Sequence, residues 1–296
     1  MTVHPAPPVP ATPVPAPPVR LPAPGLELLS LNTATTKHWT LAEAVAGCVE
    51  AGISGIGLWR DRVAEAGLDR AARLVREAGL TVTSLCRGGF FTGPGSDADN
   101  RRAVDEAAAL GADTLVLVCG GLPEGSRDLP AARRRVAAGI AALAPYAEAH
   151  GVKPAIEPLH PMFCADRAVV STLGQALDLA EAAGHGTGVV VDTYHVWWDP
   201  ELETQLARAG AAGLIHAFQV CDWLLPLPAD ALLGRGHVGD GSIDVPRIAG
   251  LVAEAGYGGW TEVEIFNQEI WDTPGAETLR TLTDRHRRHL ARGARR

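Results

Sequence analysis

Four stretches in the second half of the chain carry side chains able to do acid–base or metal chemistry. PAIEPLHP offers Glu157 and His160, and VVVDTYHVWWDP offers Asp192 and His195. IHAFQVCDW offers His216, Gln219 and Asp222, and TEVEIFN offers Glu262 and Glu264. The last two glutamates share one face of a strand, because strand side chains alternate with period two. Carboxylates that converge in a dry site repel one another and resist ionising. A divalent cation resolves that conflict. Carboxylate oxygens with one imidazole or amide suit Mn²⁺ or Mg²⁺, and also accept Co²⁺ or Zn²⁺.

The elements that must position these groups read as eight strand–helix units. Strands are expected at 26–31, 55–59, 81–85, 114–118, 153–157, 188–192, 214–220 and 261–266. Helical patterns separate them at about 40–51, 61–78, 97–110, 130–149, 171–183, 199–209, 245–255 and 276–292. Strands alternating with helices imply a parallel sheet, and eight units in this length fit an α/β fold of the (β/α)8 TIM-barrel type. A doubly wound sheet fits less well, because LLSLNTAT after the first strand contains no glycine-rich phosphate loop. In a barrel, chemistry sits where strands end, and the four stretches above end strands five to eight.

Composition bounds the rest. The 296 residues carry 26 Lys+Arg against 34 Asp+Glu, a formal charge of −8, which disfavours nonspecific nucleic-acid binding. No apolar run is long enough to span a bilayer, so no membrane role is expected. The five cysteines form no CxxC pair and read as small apolar residues of a reducing compartment. The N-terminus lacks the pattern of a secretion signal, so the expected location is cytoplasmic. Residues 1–24 are Pro-rich and read as a flexible tail, leaving 25–296 as one barrel domain. The six arginines from Arg285 onward read as a solvated helix end.

IEPLHP, VVVDTYH, FQVCDW, RGHVGDGSID and GYGGWTEVEIFN resemble the xylose-isomerase-like TIM-barrel superfamily, the sugar phosphate isomerase/epimerase group, over about residues 26–290. The group includes sugar isomerases and epimerases, dehydratases and endonuclease IV. The resemblance implies one metal ion held by Glu157, Asp192, a strand-seven residue and Glu264, most simply Mn²⁺. The group has His on strand seven. Aligning FQVCDW through Asp222 puts Gln219 there instead, with His216 facing the opposite way; an irregular strand would exchange the two. Glu262 is either an orienting group one layer deeper or a structural carboxylate paired with a buried Arg or Lys. Endonuclease activity is disfavoured, because strands two and three end without the early histidines a trinuclear zinc cage needs.

Substrate contacts are expected from His195, which in the group meets a substrate oxygen, and from Arg235 and His237 on the glycine-rich loop GRGHVGDG. Arg87, with Phe90 and Phe91 beside it, and Trp59, among the tryptophans that follow strands, complete the expected mouth. The implied activity is isomerisation or epimerisation of a sugar, keto-sugar or cyclitol through an enediolate. Glu157 and Glu264 would exchange protons with carbon, and His160 would shuttle one. The same cage would serve a lyase (a keto-cyclitol dehydratase or C-glycoside deglycosidase), and a noncatalytic barrel subunit is the reading outside enzymology. The expected partner is a small carbohydrate or cyclitol, and the group's habit allows a homo-oligomer.

Overall fold

The structure is a computed structural model that describes residues 22–291. Eight parallel strands close into a barrel: Leu29–Asn32, Gly55–Trp59, Thr81–Gly89, Thr114–Val118, Lys153–Glu157, Gly188–Asp192, Ile215–Val220 and Thr261–Val263. They follow chain order around the ring, and the eighth pairs with the first and the seventh. Helices cover the outside, as a (β/α)8 barrel requires. Most of the tail assigned to 1–24 lies outside the described residues. Its last two residues touch the barrel: the Ala23 N–H donates to Gly52 O (3.1 Å), and Pro24 O accepts from Arg287 Nε (3.4 Å). Among the described residues no helix is long and apolar enough to cross a membrane.

Local chemistry explains the element ends. Leu41–Ala51 starts with a reciprocal Thr40–Glu43 capping box and stops at Gly52, whose φ of 73° favours glycine. The single helix expected over 61–78 is two, Arg60–Ala66 and Leu68–Glu77, because Gly67 adopts φ 81° between them. The first strand begins at Leu29 rather than Leu26, since Leu28 turns through φ 60°. The eighth strand ends at Val263, so Glu264 stands just beyond it.

Two apolar clusters form. The larger joins strand exteriors to the helices. The smaller lies inside the barrel: Cys86, Val116, Ala155, Val190 and Ala217. This inner layer sets the site, because each polar residue two positions further along its strand also faces inward. Ala155 leads to Glu157, Val190 to Asp192 and Ala217 to Gln219.

His286 supplies a stability prediction. It lies on the buried face of the C-terminal helix Gly275–His289, and its Nδ1 has no hydrogen-bond partner among the described residues. Burial, with Arg287 nearby, pushes its pKa down to about 4. The unfolded chain takes up a proton near pH 6.5 that the folded protein refuses. This group's contribution is therefore complete above pH 6.5 and is lost as pH falls toward 4, by at most about 3 kcal/mol. His286→Leu is expected to flatten the fall of Tm with acidification in that window. An unaltered slope would place the acid sensitivity elsewhere.

Candidate active site

At the C-terminal rim, strand register brings the polar residues level. Asp192 pairs with Gln219 and Gln219 with Glu262 across neighbouring strands. Glu157, Asp192, Gln219, Glu262 and Glu264 are all buried. A cavity opens above them, lined by Glu157, Glu264, His195, Arg235, Arg87 and Trp59, with Cys86, Arg167 and apolar residues completing the wall.

Arg235 occupies the centre. Its Nη1 donates to Asp192 Oδ2 (2.9 Å) and to Glu264 Oε2 (3.2 Å). A short antiparallel hairpin holds it there: Asp222–Trp223 pairs with Arg235–Gly236. The Asp222 carboxylate accepts from the N–H groups of Trp223, Gly239 and Ile243, which folds the glycine-rich loop around it. Asn267 Nδ2 donates to Arg235 O (2.9 Å) and fixes the backbone from the other side.

His195 completes the cluster. The His160 N–H donates to His195 Nδ1 (3.2 Å), while His195 Nε2 lies 3.0 Å from Arg235 Nη2. Burial, then Arg235, holds the imidazole pKa well below its ordinary value, so the ring is neutral at pH 7. A neutral imidazole has one acceptor nitrogen. Two donors, the His160 N–H and Arg235 Nη2, thus converge on a ring with a single acceptor nitrogen.

The carboxylates are under the opposite stress. Burial, then Asp192 and Glu264, raises Glu157 well above the ordinary carboxylate range. Burial also pushes Glu264 up to about 7, with Asp192 and Glu262 adding to it and Arg235 opposing. With all groups ionised, Glu157, Asp192 and Glu264 against Arg235 leave two uncompensated negative charges in a dry site. Glu157, Asp192 and His195 present ligand atoms within 4.8 Å of one another. Gln219 Oε1 is buried with no hydrogen-bond partner among the described residues. Charge, donor type and this orphaned oxygen together fit a divalent cation.

The expected residues do not all converge. Gln219 and His216 lie on opposite faces, as alternation requires: His216 Nε2 donates to Gly186 O (2.8 Å) on the barrel's outside. The Gln219 amide nitrogen turns to Glu262 (2.9 Å). Among the described residues Glu262 pairs with no Arg or Lys. It accepts from Asn32 Nδ2, Thr83 Oγ1, Ser84 Oγ and Gln219 Nε2, four neutral side chains. Trp59 Nε1 donates to Glu264 Oε1 (3.1 Å), and Arg87 stacks on Phe90 (4.0 Å). Phe91 instead packs in the outer core, against Gly139.

His237 does not reach the mouth. The hairpin strand ends at Gly236, and the chain turns, with the Asp240 N–H donating to His237 O. That places His237 beside Leu282 and His286. The His160 ring sits between Trp198 and Trp223 rather than on the cavity wall, and only its backbone N–H meets His195. Sequence reasoning missed Cys86 and Arg167 on the wall and Asn32 beneath it. Cys86 immediately precedes Arg87 at a strand end, which was the available signal.

Comparison with known proteins places this architecture. A family model described as xylose isomerase-like TIM barrel matches residues 45–289. The crystal structure of protein SMc04130 from Sinorhizobium meliloti 1021 is 53% identical, covers 89% of this chain and 98% of its own, and superposes with a TM-score of 0.87. A crystal structure titled as the IOLI protein with a binding zinc atom is 20% identical over 89% of this chain and 99% of its own (TM-score 0.75), a likeness of fold. An inosose isomerase of Halalkalibacterium halodurans is 28% identical over 48% of this chain, and the match spans only 49% of that relative's length. The chain belongs to the xylose isomerase-like TIM-barrel family.

Proposed function

We propose that the protein is a divalent-metal-dependent isomerase or epimerase of a sugar, keto-sugar or cyclitol, acting by proton transfer at the carbon next to a carbonyl. The observation that carries this reading is the cluster of three buried carboxylates around one guanidinium, two negative charges in excess when all are ionised, with Glu157 and Glu264 both on the cavity wall. The inosose isomerase among its relatives and the zinc named for the IOLI structure agree with it. Glu157, Asp192, Glu264 and the Gln219 carbonyl oxygen would hold the cation, Mn²⁺ being the simplest choice for oxygen donors. Bound there, the ion would acidify the proton beside a substrate carbonyl by stabilising enediolate charge.

The chain's own groups do the rest. Glu157 and Glu264 are raised carboxylates able to take and return a proton near neutral pH. Arg235 and His195, side by side on the cavity wall, would hold the polarised substrate oxygen. Arg87 makes no ion pair among the described residues and remains available to a substrate oxygen at the mouth. Trp59 orients Glu264 through its indole N–H.

The test is product analysis. Mn²⁺-loaded protein is incubated with inososes and ketohexoses and the mixture is followed by NMR. A stereoisomeric or aldose–ketose product is expected. An unsaturated product with loss of water or of an aglycone would assign elimination instead. No turnover across the panel by folded, metal-loaded protein would count against proton-transfer chemistry.

A further inference from the structure

We infer that Glu262 is a positioning residue whose task is to turn the Gln219 carbonyl oxygen toward the cation, an inference that rests on the metal reading above. The two residues face each other in register on neighbouring strands, and Gln219 is level with Asp192 on its other side. A carboxylate only accepts hydrogen bonds, so only the –NH₂ end of the Gln219 amide can face Glu262. That contact is present at 2.9 Å, and it leaves Oε1 as the uncommitted end, buried and without a partner.

Glu262 itself cannot swing away to serve as a ligand. Asn32 (2.7 Å) shares Oε1 with Gln219, Thr83 (2.6 Å) holds Oε2, and Ser84 bridges both oxygens. Gly57 is part of the same device: a Cβ there would lie 2.5 Å from the Glu262 carboxyl carbon, so the carboxylate lies flat where only glycine leaves room. Four neutral side chains donate to the carboxylate, which has no cationic partner among the described residues. With each of these neighbours donating, the Glu262 oxygens are presented as acceptors, which is the property that orients the amide. The strand-seven amide and the glutamate beside it thus form one unit.

The test uses Mn²⁺ titration calorimetry on the full chain, with Co²⁺ visible absorption as a second readout of the coordination sphere. Glu262→Gln introduces an amide that can donate as well as accept, so Gln219 is free to turn over. A 10–100-fold loss of Mn²⁺ affinity and an altered Co²⁺ spectrum are expected. Glu262→Asp, which keeps an acceptor, is expected to retain more of the affinity. Gln219→Met should weaken binding to a similar degree, and in that background Glu262→Gln should add less than about twofold, because the two act through one contact. Undiminished affinity in Gln219→Met, or independent and multiplicative effects in the double variant, would overturn the inference while leaving a cation held by Glu157, Asp192 and Glu264 intact. Failure of the unaltered protein to bind Mn²⁺ would overturn both. Should Glu262→Gln fail to fold, Gln219→Met still decides whether the oxygen is used.

Discussion

Arg235→Met is expected to cost about 3–5 kcal/mol of stability in the metal-free protein, the range for breaking a buried ion pair by removing one partner. Its guanidinium is 1% exposed and binds Asp192 and Glu264 together. Without it, three buried carboxylates face one another, and they must take up protons or open the site to water. Saturating Mn²⁺ should restore much of the lost Tm, because the cation neutralises the same groups. It should not restore turnover, which is expected to remain down by about 10²–10³-fold, the effect of deleting one preorganised donor to a developing oxyanion. Thermal melts with EDTA or Mn²⁺, paired with initial rates, separate the two roles. Full recovery of rate with metal would reduce Arg235 to a structural counter-ion.

Glu157→Gln and Glu264→Gln form the second large effect. Each is expected to lower turnover by about 10²–10⁴-fold, the range for removing a positioned acid or base. The pH dependence follows from the same groups. Glu264 is pushed up to about 7 and Glu157 is also raised, both chiefly by burial. A cation binds their ionised forms, so Mn²⁺ affinity should fall as pH drops from 8 toward 5.5, with protons released on binding at the lower end. In the metal-free protein the sign of stability is opposite. The folded state holds a proton on Glu264 between its unfolded value near 4.5 and about 7, so this contribution is present in acid and lost as pH rises through 7. Titrations at several pH values, in buffers of different ionisation enthalpy, read the proton release directly. Affinity that does not vary with pH would contradict the raised carboxylates.

Much of this arrangement was legible in the residues. Strand–helix alternation identified all eight strands, and four of them match residue for residue, because apolar runs such as TLVLV and GVVVD have no competing helical reading. Period-two alternation separated Gln219 from His216. Other features depend on contacts distant in sequence. Nothing near Arg235 in the chain reveals that a two-residue hairpin with Asp222–Trp223 would carry its guanidinium to the centre of the cluster. In sequence, Glu262 reads either as an orienting group or as half of a buried ion pair, and nothing in the chain nearby decides between them. Its actual partners come from strands one, three and seven. His237 has the loop composition of a mouth residue, but one turn at 237–240 takes it beneath the last helix. In each case the residue type was informative, and the direction of the side chain was set by backbone geometry elsewhere.

Metal-dependent proton transfer at carbon is measured by solvent exchange without requiring the natural substrate's stereochemistry. The protein, stripped with EDTA and then reloaded with Mn²⁺, is incubated in D₂O with an inosose or a ketohexose. Deuterium incorporation at the carbon next to the carbonyl is followed by ¹H NMR, using diamagnetic Mg²⁺ or Zn²⁺ in parallel to keep lines sharp. Exchange is expected with the metal-loaded protein, none above background after EDTA, and near-background rates in Glu157→Gln and Glu264→Gln. Exchange that persists unchanged in EDTA, or in the two glutamine variants, would contradict metal-dependent proton transfer.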